Sequence, residues 1–493
     1  MVLKLKNYIG GRWVSAKTRK TFKSVNPANE KQTVAIVPRS GKKDVDAAVK
    51  AANKAFKKWR LTPAPKRGEI LFKAAQLILD RKEKIGNLVV KEMGKVKSES
   101  YGDVQEAIDI GFLYAGEGRR LHGDTVPSEL PNKNIRTERH PVGVFGLITP
   151  WNFPTAIPAW KLFPALVCGN TVVFKPSQFT PACAQKLIEC FVDAGVPPGV
   201  LNLIHGKGSE AGDALIHHKN IQGISFTGST AVGRLIAEAA GPTYKKYSLE
   251  MGGKNPIIVM DDAKLDLAVD GCIWAAFGTT GQRCTAASRI IVHEKVYKKF
   301  TEKFVRKVKK LKLGPGSGNV DVGPLINADA VEKVEKYVEI ARKERLRKLC
   351  GGSRPQGKLK NGYFFEPTVY GNVTPKSKLF KEEIFGPVTC LIKVKSLKQA
   401  IDTANDTIYG LSSAIFTQDV NNANTAARDL QSGLVYVNTS TIGAEVQSPF
   451  GGVKCTGNGH REAGGQGGAL ETYSEMKVIN TDFSGSIQKA QMD

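Results

Sequence analysis

No two of the eight cysteines stand as Cys-x-x-Cys, which removes support for a zinc knuckle or a thioredoxin-like redox pair. Scattered thiols in a long chain point to a reducing compartment rather than a disulfide scaffold. The opening Met1-Val2-Leu3-Lys4-Leu5-Lys6 is too charged for the apolar region of a secretory leader, so the expectation is a cytoplasmic protein. No apolar run reaches the roughly 18 residues of a membrane span, so no membrane partner is expected. None of the seven histidines falls in His-Glu-x-x-His or another ligand spacing, and no phosphate-binding Gly-x-x-x-x-Gly-Lys pattern occurs. Metal chemistry and nucleotide hydrolysis both lose support, and no metal site is expected.

Acid is the scarcer charge: 46 Asp and Glu against 72 Lys and Arg leave a net charge of +26. A continuous basic patch with interleaved aromatics would read as a polyanion-binding protein. Lysine is instead spread over many segments. In the densest, Lys303, Arg306, Lys307, Lys309, Lys310 and Lys312 surround Phe304, Val308 and Leu311 at helical spacing, so the charges form a solvated outer face. Arg342, Lys343, Arg345, Arg347 and Lys348 read as a second basic helix. No nucleic-acid partner is expected, and the same field would attract an anionic substrate and a phosphate-rich cofactor.

Residues 4–38 alternate short β-type runs with turns, an arm of small strands. Helical periodicity begins at Lys42, continues as one run from Lys66 to Gly94, and gives a third helix over 98–118. A Pro-containing linker follows to His140. Strands over 142–148, 170–175, 200–204 and 223–226 then alternate with helices over 183–194 and 231–240. A strand at 257–260, a helix at 265–276 and strands at 368–370, 387–392 and 434–438 repeat the alternation. This predicts βαβ units in two α/β halves, with ligands at the carboxyl ends of parallel strands.

The candidates stand near those strands. Cys284 lies between the turn chemistry of Phe277-Gly278-Thr279-Thr280-Gly281 and the β-run from Ser288. A reactive thiol needs a nearby positive charge, aligned N–H groups or a base, and Arg283 is one such charge; the alternative is a packing cysteine. Asn152 is either a turn residue or an amide donor for a developing oxyanion. Lys175 closes a strand before Pro176-Ser177-Gln178 and, alone, reads as a turn lysine. Gly206-Lys207-Gly208-Ser209-Glu210-Ala211 fits a Gly-x-Gly-x-x-Ala dinucleotide pattern but lacks the acidic ribose partner that normally follows. Phe226-Thr227-Gly228-Ser229 puts glycine and hydroxyls where N–H groups can approach a pyrophosphate. Glu250 is either a base for water with a raised pKa or the partner of Lys254.

Read in order, Thr149-Pro150-Trp151-Asn152-Phe153-Pro154, Phe226-Thr227-Gly228-Ser229, Leu249-Glu250-Met251-Gly252-Gly253-Lys254, Gly281-Gln282-Arg283-Cys284, Glu383-Ile384-Phe385-Gly386-Pro387 and Pro449-Phe450-Gly451-Gly452 resemble the motifs of the aldehyde dehydrogenase superfamily. The resemblance runs from Asn26-Pro27 to the Tyr473–Lys477 tail. It implies an aldehyde-dehydrogenase-like α/β fold with a Rossmann-type cofactor domain over 1–118 and 140–252 and a catalytic α/β domain over 253–440. Residues 441–470 would return to the cofactor side, and 119–139 with 471–493 would form a small oligomerisation element in a homodimer or homotetramer.

The resemblance also implies roles. Cys284 would be the nucleophile, Glu250 the base, and Asn152 with the Cys284 N–H the oxyanion hole. Lys175 would hold the adenosine ribose, Ser229 the pyrophosphate, and Glu383 the nicotinamide ribose. Trp151 and Phe385 would line the cofactor crevice, and Gly208 is counted with these cofactor residues. Phe153, Trp160 and Phe450 match the substrate tunnel, Arg283 is a candidate substrate contact, and Glu475 matches a glutamate credited with proton relay. Gln178 stands where many NAD-preferring members carry Glu. Without that carboxylate a 2′-phosphate is not repelled, and Lys175 with Ser177 could bind it, which favours NADP over NAD.

The sequence around Cys284 is similar to that of semialdehyde dehydrogenases of the 2-oxoglutarate semialdehyde group, which suits a carboxylate-bearing substrate and Arg283. Glyceraldehyde and simple aliphatic aldehydes are alternatives. The expected reaction is oxidation of a small semialdehyde or hydroxyaldehyde to the free acid through a Cys thioester, with hydride transfer to NAD(P). A coenzyme-A-acylating enzyme is the rival enzyme, although such enzymes usually lack the glutamate found here at 250, and a basic polyanion-binding protein that retains the fold is the rival from another class.

Overall fold

Five β-rich runs line up in parallel, in the spatial order Lys246–Glu250, Gly223–Thr227, Val144–Ile148, Thr171–Lys175 and Leu201–Leu203. Strands covered on both faces need side chains that are apolar throughout, which is how Val144–Ile148 and Val172–Phe174 read. The hairpin of Asn7–Ile9 and Arg12–Val14 extends this sheet antiparallel beyond Leu201–Leu203. The rest of the N-terminal arm forms a separate sheet of Leu3–Lys4, Asn29–Pro38 and Thr21–Asn26. The structure is a computed structural model and describes residues 2–492.

A second seven-stranded sheet runs Arg347–Cys350, Thr368–Gly371, Val388–Val394, Ala287–His293, Asn255–Val259, Ser412–Phe416 and Leu434–Val437, parallel except for its first strand. In chain order Lys246–Glu250 is the last strand of one sheet and Asn255–Val259 the first of the other, so the carboxyl edge of the first faces the amino edge of the second. Asn152 and Glu250 therefore lie at or beyond strand ends, as expected, whereas Cys284 and Glu383 precede strands. The linker and the tail meet in a fourth sheet, where Lys133–Pro141 pairs antiparallel with Ser474–Asp482 along its whole length. Among the described residues no helix is long and apolar enough to cross a membrane.

Several elements differ from the sequence expectation. The run 66–94 is two helices, Ala64–Asp80 and Lys82–Glu92, broken at Arg81, which leaves helical geometry and pairs with Asp193 at 2.7 Å. The second basic cluster is not one helix: Ala328–Lys343 stops before Arg345, which has φ +55°, and Arg347 and Lys348 stand on an edge strand. The first cluster follows expectation, with Phe304 and Val308 buried on Glu294–Val308 and Lys303 and Lys307 paired outward with Asp266 and Asp270. The wholly buried helix Ala156–Val167 was hidden by Pro158 and Pro164. The strand Ser412–Phe416 was masked by two serines that are nonetheless buried.

Candidate active site

Cys284 sits at the end of a strained turn. Thr279 and Thr280 both adopt left-handed geometry, φ +52° and +60°, which costs a β-branched residue on the order of 1–3 kcal/mol. Surrounding bonds hold it there. Glu99 accepts from the Thr279 N–H at 2.8 Å, the Thr280 hydroxyl donates to the Gly323 carbonyl at 3.0 Å, and the buried Gln282 amide donates to the Thr279 and Pro324 carbonyls. Asn255 Nδ2 donates to the Cys284 carbonyl at 2.6 Å. Gly253 lets that carbonyl approach, because a Cβ there would lie 2.5 Å from the oxygen. Asn152 Nδ2 donates to the Gln282 carbonyl at 3.0 Å, which ties the amide to the cysteine turn.

A cavity of about 350 Å³ opens in front of this turn, lined by Cys284, Glu250, Phe153, Trp160, Phe450 and Glu462 among others. Trp160 and Phe450 meet edge to face at 4.7 Å. Glu250 is buried. Its Oε2 accepts from the Gly452 N–H at 3.2 Å, and its Oε1 has no partner among the described residues. Burial first and the neighbouring Glu462 second hold this carboxyl well above its ordinary pKa. The alternative pairing with Lys254 is not found, since Lys254 Nζ is buried without a hydrogen bond. The Cys284 thiol is pushed up to about 12 by burial, then by Glu250 and Glu383.

Two expectations are corrected here. Arg283 does not act as a free cation: its Nη2 pairs with Glu99 at 3.3 Å, its Nε donates to the Thr279 hydroxyl at 2.8 Å, and its pull on the Cys284 thiol is outweighed by burial and carboxylates. It does line the cavity. Glu475 lies outside the cavity, exposed on the tail strand opposite His140. The second buried carboxylate beside Glu250 is Glu462, which bridges back to Phe450 and pairs with the buried Lys161. Lys161 Nζ also donates to the Ser225 hydroxyl at 2.9 Å. Sequence reasoning missed both; the only signal was a lysine one residue after Trp160 in an otherwise apolar helix.

The remaining candidates lie at the carboxyl ends of the first sheet's strands and around Glu383, which lines a small pocket with Phe385. Trp151 and Phe385 meet edge to face at 5.5 Å, with Phe385 held at φ +58°. Glu383 Oε1 accepts from the Gly253 N–H at 2.9 Å. A Cβ on Gly252 would lie 2.4 Å from Glu383 Oε2, so glycine keeps that oxygen reachable. Lys175 is buried at its strand end, its ammonium bonded among the described residues only to the Pro176 carbonyl and its pKa lowered to about 8 by burial. Ser177 Oγ accepts from the Phe179 N–H, which leaves its O–H free, and Gln178 is half-buried beside it. Ser229 caps the helix Thr230–Ala240. Gly208 opens a π-helical turn, Gly208–Gly212, whose last residue faces the Lys175 stem. Unfilled donors at Lys175 and Ser177, a helix N-terminus and a carboxyl with a free oxygen suit the hydroxyls and phosphates of a dinucleotide.

Residues 13–479 match the model of the aldehyde dehydrogenase family. The chain is 42% identical to the alpha-ketoglutaric semialdehyde dehydrogenase of Bacillus subtilis over 96% of this chain and 97% of that one. It is equally 42% identical to the NADP(+) D-glyceraldehyde dehydrogenase of Picrophilus torridus, over 97% of each. The fold superposes on the betaine aldehyde dehydrogenase of Staphylococcus aureus in complex with NAD+ with a TM-score of 0.96 at 35% identity, covering 100% of this chain and 97% of that one.

Proposed function

The chain belongs to the aldehyde dehydrogenase family and is an NAD(P)-dependent, non-acylating enzyme of that kind; we propose that it converts a small semialdehyde or hydroxyaldehyde to the free acid through a thioester on Cys284, with NADP preferred. One observation carries this reading: Cys284 and Glu250 line the same cavity, and Asn152 is hydrogen-bonded to the turn that holds the cysteine. The names of the semialdehyde and glyceraldehyde relatives support the substrate class.

The Cys284 thiolate adds to the aldehyde carbon, and the new oxyanion is held by the second N–H of the Asn152 amide and the Cys284 backbone N–H. Burial and the neighbouring carboxylates disfavour the thiolate, so the thiol proton must pass to solvent before addition. The dinucleotide, when bound, supplies the hydride acceptor, with Glu383 and Lys175 as the residues that hold its two riboses. The thioester left on Cys284 is hydrolysed by a water that Glu250 deprotonates. Asn152→Ala lowers kcat by about 10²–10³-fold in a steady-state assay, the usual effect of losing one oxyanion donor.

Cofactor preference rests on Gln178. The wild type has the higher kcat/KM with NADP, and Gln178→Glu lowers the NADP value about tenfold or more relative to NAD, because it sets a carboxylate against the 2′-phosphate. Parallel kinetics with both dinucleotides check this, and a clear NAD preference in the wild type contradicts it. Exposed Leu235 on Thr230–Ala240 and exposed Val478 on the tail strand support a homo-oligomer, a dimer or a tetramer.

A further inference from the structure

The inner end of the cavity serves the reaction just described, and its outer end carries a carboxyl group for which that reaction has no use. The helix Lys97–Glu117 presents Glu99, Asp103 and Glu106 to the cavity, at the spacing of one helix face. Two of the three are engaged by the protein. Glu99 accepts from Thr279 and pairs with Arg283. Asp103 pairs with Lys95 at 3.1 Å and accepts from the Thr155 hydroxyl and the Ala156 N–H, both at 2.8 Å, at the start of the next helix. Glu106 has no hydrogen-bond partner among the described residues. It lines the cavity alongside Gly102, where an added Cβ would meet nothing within 4 Å.

The surrounding charges are already matched. Arg283 is balanced by Glu99, Lys95 by Asp103 and, deeper in, Lys161 by Glu462. Two of the aromatic rings in the wall already carry the protein's own cations, with Lys95 Nζ 3.3 Å from the centre of the Phe153 ring and the Arg283 guanidinium 4.9 Å from that of Trp274. What the outer cavity still offers is one carboxyl group without a partner.

We propose that Glu106 recognises the far end of the substrate, donating its carboxyl proton in a hydrogen bond to an oxygen, of a carboxylate or a hydroxyl, that the aldehyde bears a few atoms from its carbonyl. This rests on the cavity being the aldehyde site and adds a specificity-determining residue to it. Burial, and next the charge of Asp103, push Glu106 up to about 8, so near neutral pH it is a donor rather than an anion. Asp109 on the same helix acts in the same direction, while Lys95 and Arg283 oppose it; the other charged groups lining the cavity are Glu99, Glu250 and Glu462, the last paired with the buried Lys161. Glu106 is half-buried in the cavity wall, and an aldehyde that covers it without offering an oxygen leaves its carboxyl desolvated and unpaired.

The test is steady-state kinetics of the enzyme with its cofactor on succinic semialdehyde, glyceraldehyde and propanal, in wild type, Glu106→Leu and Glu106→Gln, from about pH 6.5 to 9.5, a range that brackets the shifted carboxyl. The readout is the kcat/KM of each oxygenated aldehyde divided by that of propanal. In Glu106→Leu the ratio falls about tenfold or more for at least one of the two, as expected for a lost hydrogen bond to an oxygen. Glu106→Gln, whose amide still donates, restores the ratio at neutral pH. If the bound oxygen is a carboxylate, the wild-type ratio for succinic semialdehyde drops as pH rises through about 8, because the ionised Glu106 repels it, and Glu106→Gln abolishes that drop. If it is a hydroxyl, the glyceraldehyde ratio carries the Leu effect and the pH dependence is weaker. Unchanged ratios in Glu106→Leu overturn the proposal, as does a Glu106→Gln enzyme that behaves like Glu106→Leu. Failure of the underlying reading looks different: the wild type then reduces no cofactor with any of the three aldehydes.

Discussion

Cys284→Ala abolishes aldehyde-dependent reduction of the dinucleotide, by about 10⁵-fold or more, while cofactor binding and the thermal melting temperature stay close to wild type. Removing the nucleophile leaves no atom on which a thioester can form, and the rest of the site cannot substitute for it. The fold has little reason to respond. The turn is held through backbone and neighbouring groups, namely the Thr279 N–H on Glu99, the Gln282 amide and the Asn255 bond to the Cys284 carbonyl, none of which uses the sulfur. A melting curve and a dinucleotide-binding titration alongside the rate assay separate lost chemistry from lost structure. Substantial activity in the variant contradicts the role of Cys284.

Glu250→Gln has the second-largest effect, and a different shape. Steady-state turnover falls about 10²–10⁴-fold, the range of a lost general base, but a first burst of reduced cofactor remains, near one equivalent per active site. The base acts on water only after oxidation, so removing it stalls the enzyme at the thioester. The substituted amide keeps an oxygen that can accept from the Gly452 N–H, so the local packing survives. The pH dependence has a definite sign. A carboxyl held above its ordinary pKa by burial and Glu462 is protonated at lower pH and becomes a base as pH rises through its shifted value. Wild-type hydrolysis of the acyl enzyme therefore accelerates with pH, and Glu250→Gln loses that limb. Stopped-flow reading of the burst and the following phase measures both.

Cys284, Asn152 and Glu250 could each be picked out in the sequence as candidates because each lies within a short motif whose residues are neighbours in the chain. The groups that support them could not, because their partners are remote. Glu99 reaches Thr279 across 180 residues, and Lys161 reaches Glu462 across 301. Nothing local to Glu99, on a helix with an ordinary pattern, announces that it props a left-handed threonine. For the same reason Arg283 read as a free cation waiting for a substrate carboxylate: its counter-charge comes from another element. The tail glutamates show a related limit. Glu462 and Glu475 are interchangeable on paper, and only the pairing of Ser474–Asp482 with Lys133–Pro141 turns Glu475 outward, while the bridge between Phe450 and Glu462 brings the other inward.

Strand order could not be read either. Alternating strands and helices imply parallel sheets, but not that the carboxyl edge of one sheet would face the amino edge of the next. That arrangement brings Glu250, at the end of one strand, together with Cys284, which precedes another. Residues that follow strands therefore make up only part of the site.

The most direct measurement is peptide mass spectrometry of Glu250→Gln mixed with an aldehyde and NADP+ and quenched after the burst. The peptide containing Cys284 then carries the mass of the acyl group derived from that aldehyde, in proportion to the reduced cofactor formed, and the adduct is absent without NADP+. An unmodified Cys284 peptide alongside a full burst of reduced cofactor, or an acyl group on any other residue, would contradict a thioester on Cys284.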